Sequence, residues 1–124
     1  MTGTQLLTKA IGLFDATDTT PYLTTSIDAI NGLLAENFDV NNNILVKIEE
    51  EPLTVIPEIT ALTETIPYED RLVKYAFPYG LAEKLIVGER DTSLISYFHQ
   101  KYIDAVNDCN IGYAKVVECD LSLL

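Results

Sequence analysis

The stretch Phe77-Pro-Tyr-Gly-Leu-Ala-Glu-Lys-Leu-Ile-Val-Gly88, followed past Glu89-Arg90 by Asp91-Thr-Ser-Leu-Ile-Ser-Tyr-Phe-His-Gln-Lys-Tyr102, decides the fold. In its first half Leu81, Ala82, Leu85 and Ile86 extend an apolar face begun by Leu72, Val73, Ala76 and Phe77. That spacing predicts a helix over 69–88. Pro78 sits inside it without an N–H for the carbonyl of Lys74, so the helix should kink or restart there. In the second half Leu94, Ile95, Phe98, Tyr102, Ala105 and Val106 recur in steps of one, three and four, which predicts a helix over 92–107. Gly88 is placed to end the first helix and Asp91 to cap the second. An αα-hairpin follows, with its seam expected at Pro78, Tyr79, Gly80, Leu81, Leu85, Phe98 and Tyr102. Gly80 allows close approach beside the kink.

Toward the N-terminus, Leu6, Leu7, Ala10, Ile11 and Phe14 predict a short helix over 4–14, with Thr4 as its cap. Asp15-Ala-Thr-Asp-Thr-Thr-Pro21 is a loop of turn formers. Leu23, Ile27, Ile30, Leu33 or Leu34 then predict a helix over 22–37. Gly32 interrupts that stripe, and because Gly in a helix costs about 1 kcal/mol against Ala, it suggests close packing against a neighbour.

From 39 to 67 the helical period is lost. Asp39-Val-Asn-Asn-Asn reads as a turn, and Ile44, Val46 and Ile48 alternate as in a strand. Pro52 and Pro57 break the remainder into extended pieces such as Leu53–Ile56. A non-helical stretch this long usually makes contacts of its own. It is expected to be an arm or short hairpin presenting Ile44, Val46, Ile48, Leu53, Val55 and Ile56 to another subunit; a packed irregular connection is the equal alternative. Beyond Asn110-Ile-Gly, the run Tyr113-Ala-Lys-Val-Val-Glu-Cys reads as a strand over about 113–119. Tyr113, Val116 and Val117 would then be contact residues on an edge in this chain or a neighbour.

The expected architecture is mainly α: one domain over 1–124, a bundle of about four helices with an extended central arm or short hairpin and a C-terminal strand. With 124 residues and 48% apolar content, the chain can bury a core without metals or disulfides. The net charge is −11, with ten acids and two bases before residue 67 and nine acids and six bases after it. Such a surface repels nucleic-acid phosphates. No apolar run approaches the roughly 20 residues of a membrane span, and the first residues do not resemble a signal peptide. A cytosolic origin is therefore expected, in which Cys109 and Cys119 are free thiols.

No chemistry-bearing constellation emerges. His99 is the sole histidine and lacks a nucleophile partner, and no glycine-rich phosphate cradle is present. Asp39, Asn41, Asn43 and Glu50 fall at positions one, three, five and twelve of a calcium loop. Its sixth position, which needs Gly, is Ile44. Cys109, Cys119 and His99 do not make a zinc pattern. No catalytic, cofactor-binding or metal-binding residue is expected, and the chain reads as a non-enzyme.

The block 77–102 resembles one that recurs in small head–tail connector proteins of tailed phages. There a "Leu-Pro-Tyr-Gly-Leu-Ala" entry to one helix precedes an acidic turn and a helix with "Phe-x-x-x-Tyr". Ile30-Asn31-Gly32-Leu33-Leu34-Ala35-Glu36 is similar to that family's "Ile-Asn-x-x-Leu-x-Glu", and the matching blocks span most of residues 4–105. The resemblance implies a helical-bundle subunit of a homo-oligomeric ring, commonly dodecameric, in the virion neck between capsid and tail. Such a subunit is made in the host cytoplasm and docks beneath the portal protein and against tail or neck proteins. DNA would pass through its acidic channel without specific binding. The long tail after Asn107 departs from the family pattern. Two alternatives stand beside this reading: a tail-completion or neck protein, and an acidic module that mimics DNA.

Overall fold

The computed structural model describes residues 1–89 and 91–122, with side chains for 1–88 and 91–110. Among these residues it is mainly helical, with no strand and one isolated antiparallel bridge, Thr2 to Thr65. Helix α1 (Gly3–Gly12) opens with a capping box. The Thr2 hydroxyl accepts the Gln5 N–H at 3.2 Å, and the Gln5 side chain accepts the Thr2 N–H at 2.9 Å. The cap is thus Thr2 and not Thr4, whose N–H and hydroxyl both donate to the carbonyl of Leu62. The helix ends in a Schellman turn: Asp15 takes φ 61° and the Ala16 N–H reaches back to Ile11 O at 3.0 Å.

Helix α2 (Leu23–Glu36) buries Ser26, Ile30, Leu33 and Leu34. A break at Asn37, where φ is −107° and ψ 13°, leads directly into α3 (Phe38–Lys47). The turn and strand expected over 39–48 are therefore a helix. Only Ile44 of the alternating trio is buried, while Val46 and Ile48 are exposed. Asn41 and Ile44, three apart, are the buried pair, and Val40 is half-buried. That is a helical face with so little apolar content that the two-residue alternation beside it dominates the sequence. α3 closes in a second Schellman turn, with Glu49 at φ 62° and the Glu50 N–H on Leu45 O at 2.7 Å.

The segment 50–69 is irregular, and its first half is mostly exposed, with Leu53 half-buried against the core. Ile59, Ile66 and Tyr68 are buried in the core, which makes 59–68 a packed connection instead of an arm. Its carbonyl oxygens at Leu62 and Glu64 accept the N–H groups of Thr4 and Gly3, and Ile66 donates to Met1 O. The orphan donors of the first turn of α1 are satisfied in this way. The Glu64 carboxylate accepts the N–H groups of Thr60 and Ala61 at 2.6 and 2.7 Å and the Thr60 hydroxyl at 2.9 Å. Those bonds hold its pKa below the usual carboxylate value.

The predicted helix over 69–88 is two helices, α4 (Asp70–Tyr75) and α5 (Phe77–Ile86), broken at Ala76 with Pro78 in the first turn of α5. The carbonyl of Lys74, which Pro78 cannot serve, accepts instead from the Lys9 ammonium at 3.1 Å. α5 is the central helix: Phe77, Pro78, Gly80, Leu81, Ala82 and Ile86 are buried, and α1, α2, α4 and α6 pack around it. Gly88 does not form the expected left-handed cap; it lies within a 3-10 turn, Val87–Glu89.

Helix α6 (Thr92–Ser122) starts as expected, with the Leu94 N–H on Asp91 Oδ1 at 3.0 Å. It then continues through the stretch expected as a strand over 113–119. Ala114, Lys115 and Glu118 are good helix formers, and a helix satisfies its backbone without a partner edge. The edge proposed for pairing, 44–48, is in α3 and its C-terminal turn. The contacts expected of Tyr113, Val116 and Val117, and the state of Cys119, lie outside the residues whose side chains are described.

Candidate functional site

Helices α5 and α6, which carry the residues the sequence singled out, pack against each other. Pro78, Gly80, Leu81, Phe98 and Tyr102 are buried, and Tyr79 and Leu85 are half-buried. The rings of Tyr79 and Phe98 lie 6.4 Å apart, and Phe14 reaches Phe98 from the end of α1 at 6.5 Å. Gly80 has no room for a side chain. A Cβ there would come within 2.7 Å of Leu33 Cδ2 and 2.9 Å of two Tyr102 ring carbons, so α2, α5 and α6 meet at a residue without a side chain.

A polar network grows from the same point. The Tyr102 hydroxyl accepts from the buried Asn37 amide at 2.6 Å and donates to Glu36 Oε2 at 2.9 Å. Glu36 Oε1 receives the Lys84 ammonium at 2.6 Å, and Glu83 Oε1 meets His99 Nδ1 at 2.9 Å. Burial, first, and the Glu36 carboxylate keep the Tyr102 phenol protonated far above the ordinary tyrosine value. A groove of about 370 Å³ runs along this network, with Val40, Ile103 and Val106 as its apolar wall. A larger groove of about 720 Å³ lies between α4 and α6, where Arg71, Lys74 and Tyr75 face Asp108 and Cys109. The Cys109 thiol points at the Arg71 carbonyl, 3.6 Å away, and burial pushes its pKa up, so the thiolate needed of a nucleophile is disfavoured.

Sequence reasoning missed the asparagines. Asn31 in α2 accepts the Ile59 N–H at 2.8 Å and donates to its carbonyl at 3.0 Å. Asn42 in α3 does the same with Leu53, at 2.9 and 3.0 Å. Asn41, read as a possible calcium ligand, accepts the Glu69 N–H at 2.9 Å from within a helix. Each carboxamide stands in for a peptide group and ties the irregular segment to the bundle. The available signal was asparagine inside helical stripes, where its propensity is poor.

The six residues proposed for the arm separate. Ile44 is core, Leu53 is half-buried at the Asn42 clasp, and Val46, Ile48, Val55 and Ile56 are exposed. Glu49, Glu50, Glu51 and Glu58, in the same stretch of sequence, are exposed as well. Among the described residues no group of three His, Cys, Asp or Glu is arranged to hold a metal ion, and no helix is long and apolar enough to cross a membrane. No protein-family model, curated protein or solved structure matches the chain.

Proposed function

We propose that the chain is a structural subunit of a tailed-phage head–tail connector. It would assemble with copies of itself into a ring beneath the portal and extend the DNA channel towards the tail. The observation that carries this reading is the hairpin of residues 77–102. The block that resembles connector proteins folds into helices that meet closely at Gly80, and the polar side chains around it tie helices together. Two further features support it. The surface carries a net charge of −11, which leaves DNA mobile in a channel. α6 has 31 residues against ten in α5, so it runs well past the helix it packs on and offers its C-terminal part to a neighbour.

Sedimentation velocity of the chain alone and mixed with the portal protein of the same phage tests the proposal. The expected result is a ring-sized species, or co-migration with the portal. A strict monomer that ignores the portal across the concentration range contradicts it.

A further inference from the structure

Helix α6 outruns the body it packs on. It has 31 residues, whereas α2, the next longest described helix, has 14. Two contacts mark where it leaves the bundle. The ammonium of Lys47, the last residue of α3, donates to the Asn110 carbonyl and side-chain oxygen at 3.2 and 3.1 Å. The Cys109 thiol meets the carbonyl of Arg71 in the first turn of α4.

The connection between those two helix ends, 48–69, runs back over the other helices. Leu53 is clasped by Asn42 of α3 and Ile59 by Asn31 of α2, and the Leu62 and Glu64 carbonyls bond the first turn of α1. Past Asn110, α6 continues as residues 111–122, about 18 Å of helix at roughly 1.5 Å per residue. Helices in proteins draw most of their stability from a surface to pack on.

A surface of that kind opens beside the exit. The groove of about 720 Å³ has Arg71, Lys74 and Tyr75 of α4 on one wall and Ala105, Asp108 and Cys109 of α6 on the other. Tyr75 is 60% exposed, and a tyrosine standing at a groove is a common anchor of protein contacts. The chain's own residues 111–122 cannot turn into this groove, because they continue one of its walls as part of the same helix. In a second copy they are free of that constraint. Two copies at −11 repel over most of their surface, but the groove lining holds three carboxylates and two bases, and 111–122 holds two carboxylates and one base. Contact between these two parts therefore adds little repulsion.

We infer that residues 111–122 of one copy lie in the α4–α6 groove of another, against Tyr75. Laid head to tail, such contacts leave a groove open at one end and a helix at the other until a ring closes. This deepens the connector reading by naming the joint between subunits, and rests on that reading only for closure into a ring.

Photocross-linking of the full chain tests the joint. p-Benzoylphenylalanine replaces Tyr75, and this variant is mixed with isotope-labelled unsubstituted chain before irradiation. Adducts on the labelled 111–122 peptide are expected. Adducts confined to one chain, adducts elsewhere on the labelled chain, or none at all overturn the inference. In sedimentation velocity, Tyr75→Asp should weaken self-association about tenfold. Val87→Asp, at an exposed site in the turn before α6, should leave it unchanged. Self-association unaffected by Tyr75→Asp, or weakened equally by Val87→Asp, also overturns it. A closed pair with the expected adducts keeps the inference and removes the ring; a ring whose adducts map elsewhere does the reverse.

Discussion

A methyl group at Gly80 would press on Leu33 and on a Tyr102 ring that Asn37 and Glu36 hold by its hydroxyl. Neither neighbour can give way freely, so Gly80→Ala should destabilise the fold by about 1–3 kcal/mol. Gly32 sits in a similar stripe, yet an added Cβ would meet only the Lys84 side chain at 3.8 and 3.9 Å, an ordinary contact. Gly32→Ala should therefore stabilise by about 0.5–1 kcal/mol. Urea denaturation of the two variants distinguishes them by sign. Glu49 holds a left-handed conformation at φ 62°, at the Schellman turn after α3. Glu49→Gly relieves that strain and should raise stability by about 1 kcal/mol in the same assay.

At the scale of elements, the clasps decide how the irregular segment behaves. Asn42→Ala removes both bonds to Leu53, and the Leu53 amide should lose its hydrogen-exchange protection while the core amides of α5 keep theirs. Unchanged protection at Leu53 would show that the clasp is unimportant. The amphipathic helices α1, α2 and the start of α6 were legible because their apolar stripes are wide and regular. The break near Pro78 was legible because a missing N–H has one local consequence. α3 was not: its buried face is little more than Asn41 and Ile44, and its helicity is imposed by the Asn37 junction and packing on α6. The second half of α6 was read as a strand because valines and tyrosine suit both states, and local pattern does not reveal whether a partner edge exists. The approach of Gly80 to Tyr102 and of Tyr79 to Phe98 lies within the block the sequence singled out, while the asparagine clasps depend on long-range pairing that periodicity does not encode.

For the whole molecule, two buried tyrosines tie stability to alkaline pH. Burial raises the folded pKa of Tyr68 from 10.0 to about 12 and that of Tyr102 higher still, and Tyr68 also donates to the Leu34 carbonyl inside the core. A raised folded pKa gives stability that is whole below pH 10 and is lost as pH rises through the folded values. Melting temperature should fall from about pH 10 upward, and Tyr102→Phe should flatten that fall. Glu64 acts in the opposite sense: its pKa is lowered, so its contribution is present above the usual value of 4.5 and is lost as pH falls through the folded one.

The claim that this bundle is a connector subunit meets its most direct test in cryo-electron microscopy of the assembled particle neck. The account predicts a ring of this chain between portal and tail, with the α5–α6 hairpin inside each subunit and acidic side chains lining the channel. A neck whose density is filled by other chains, with this one absent, would contradict it.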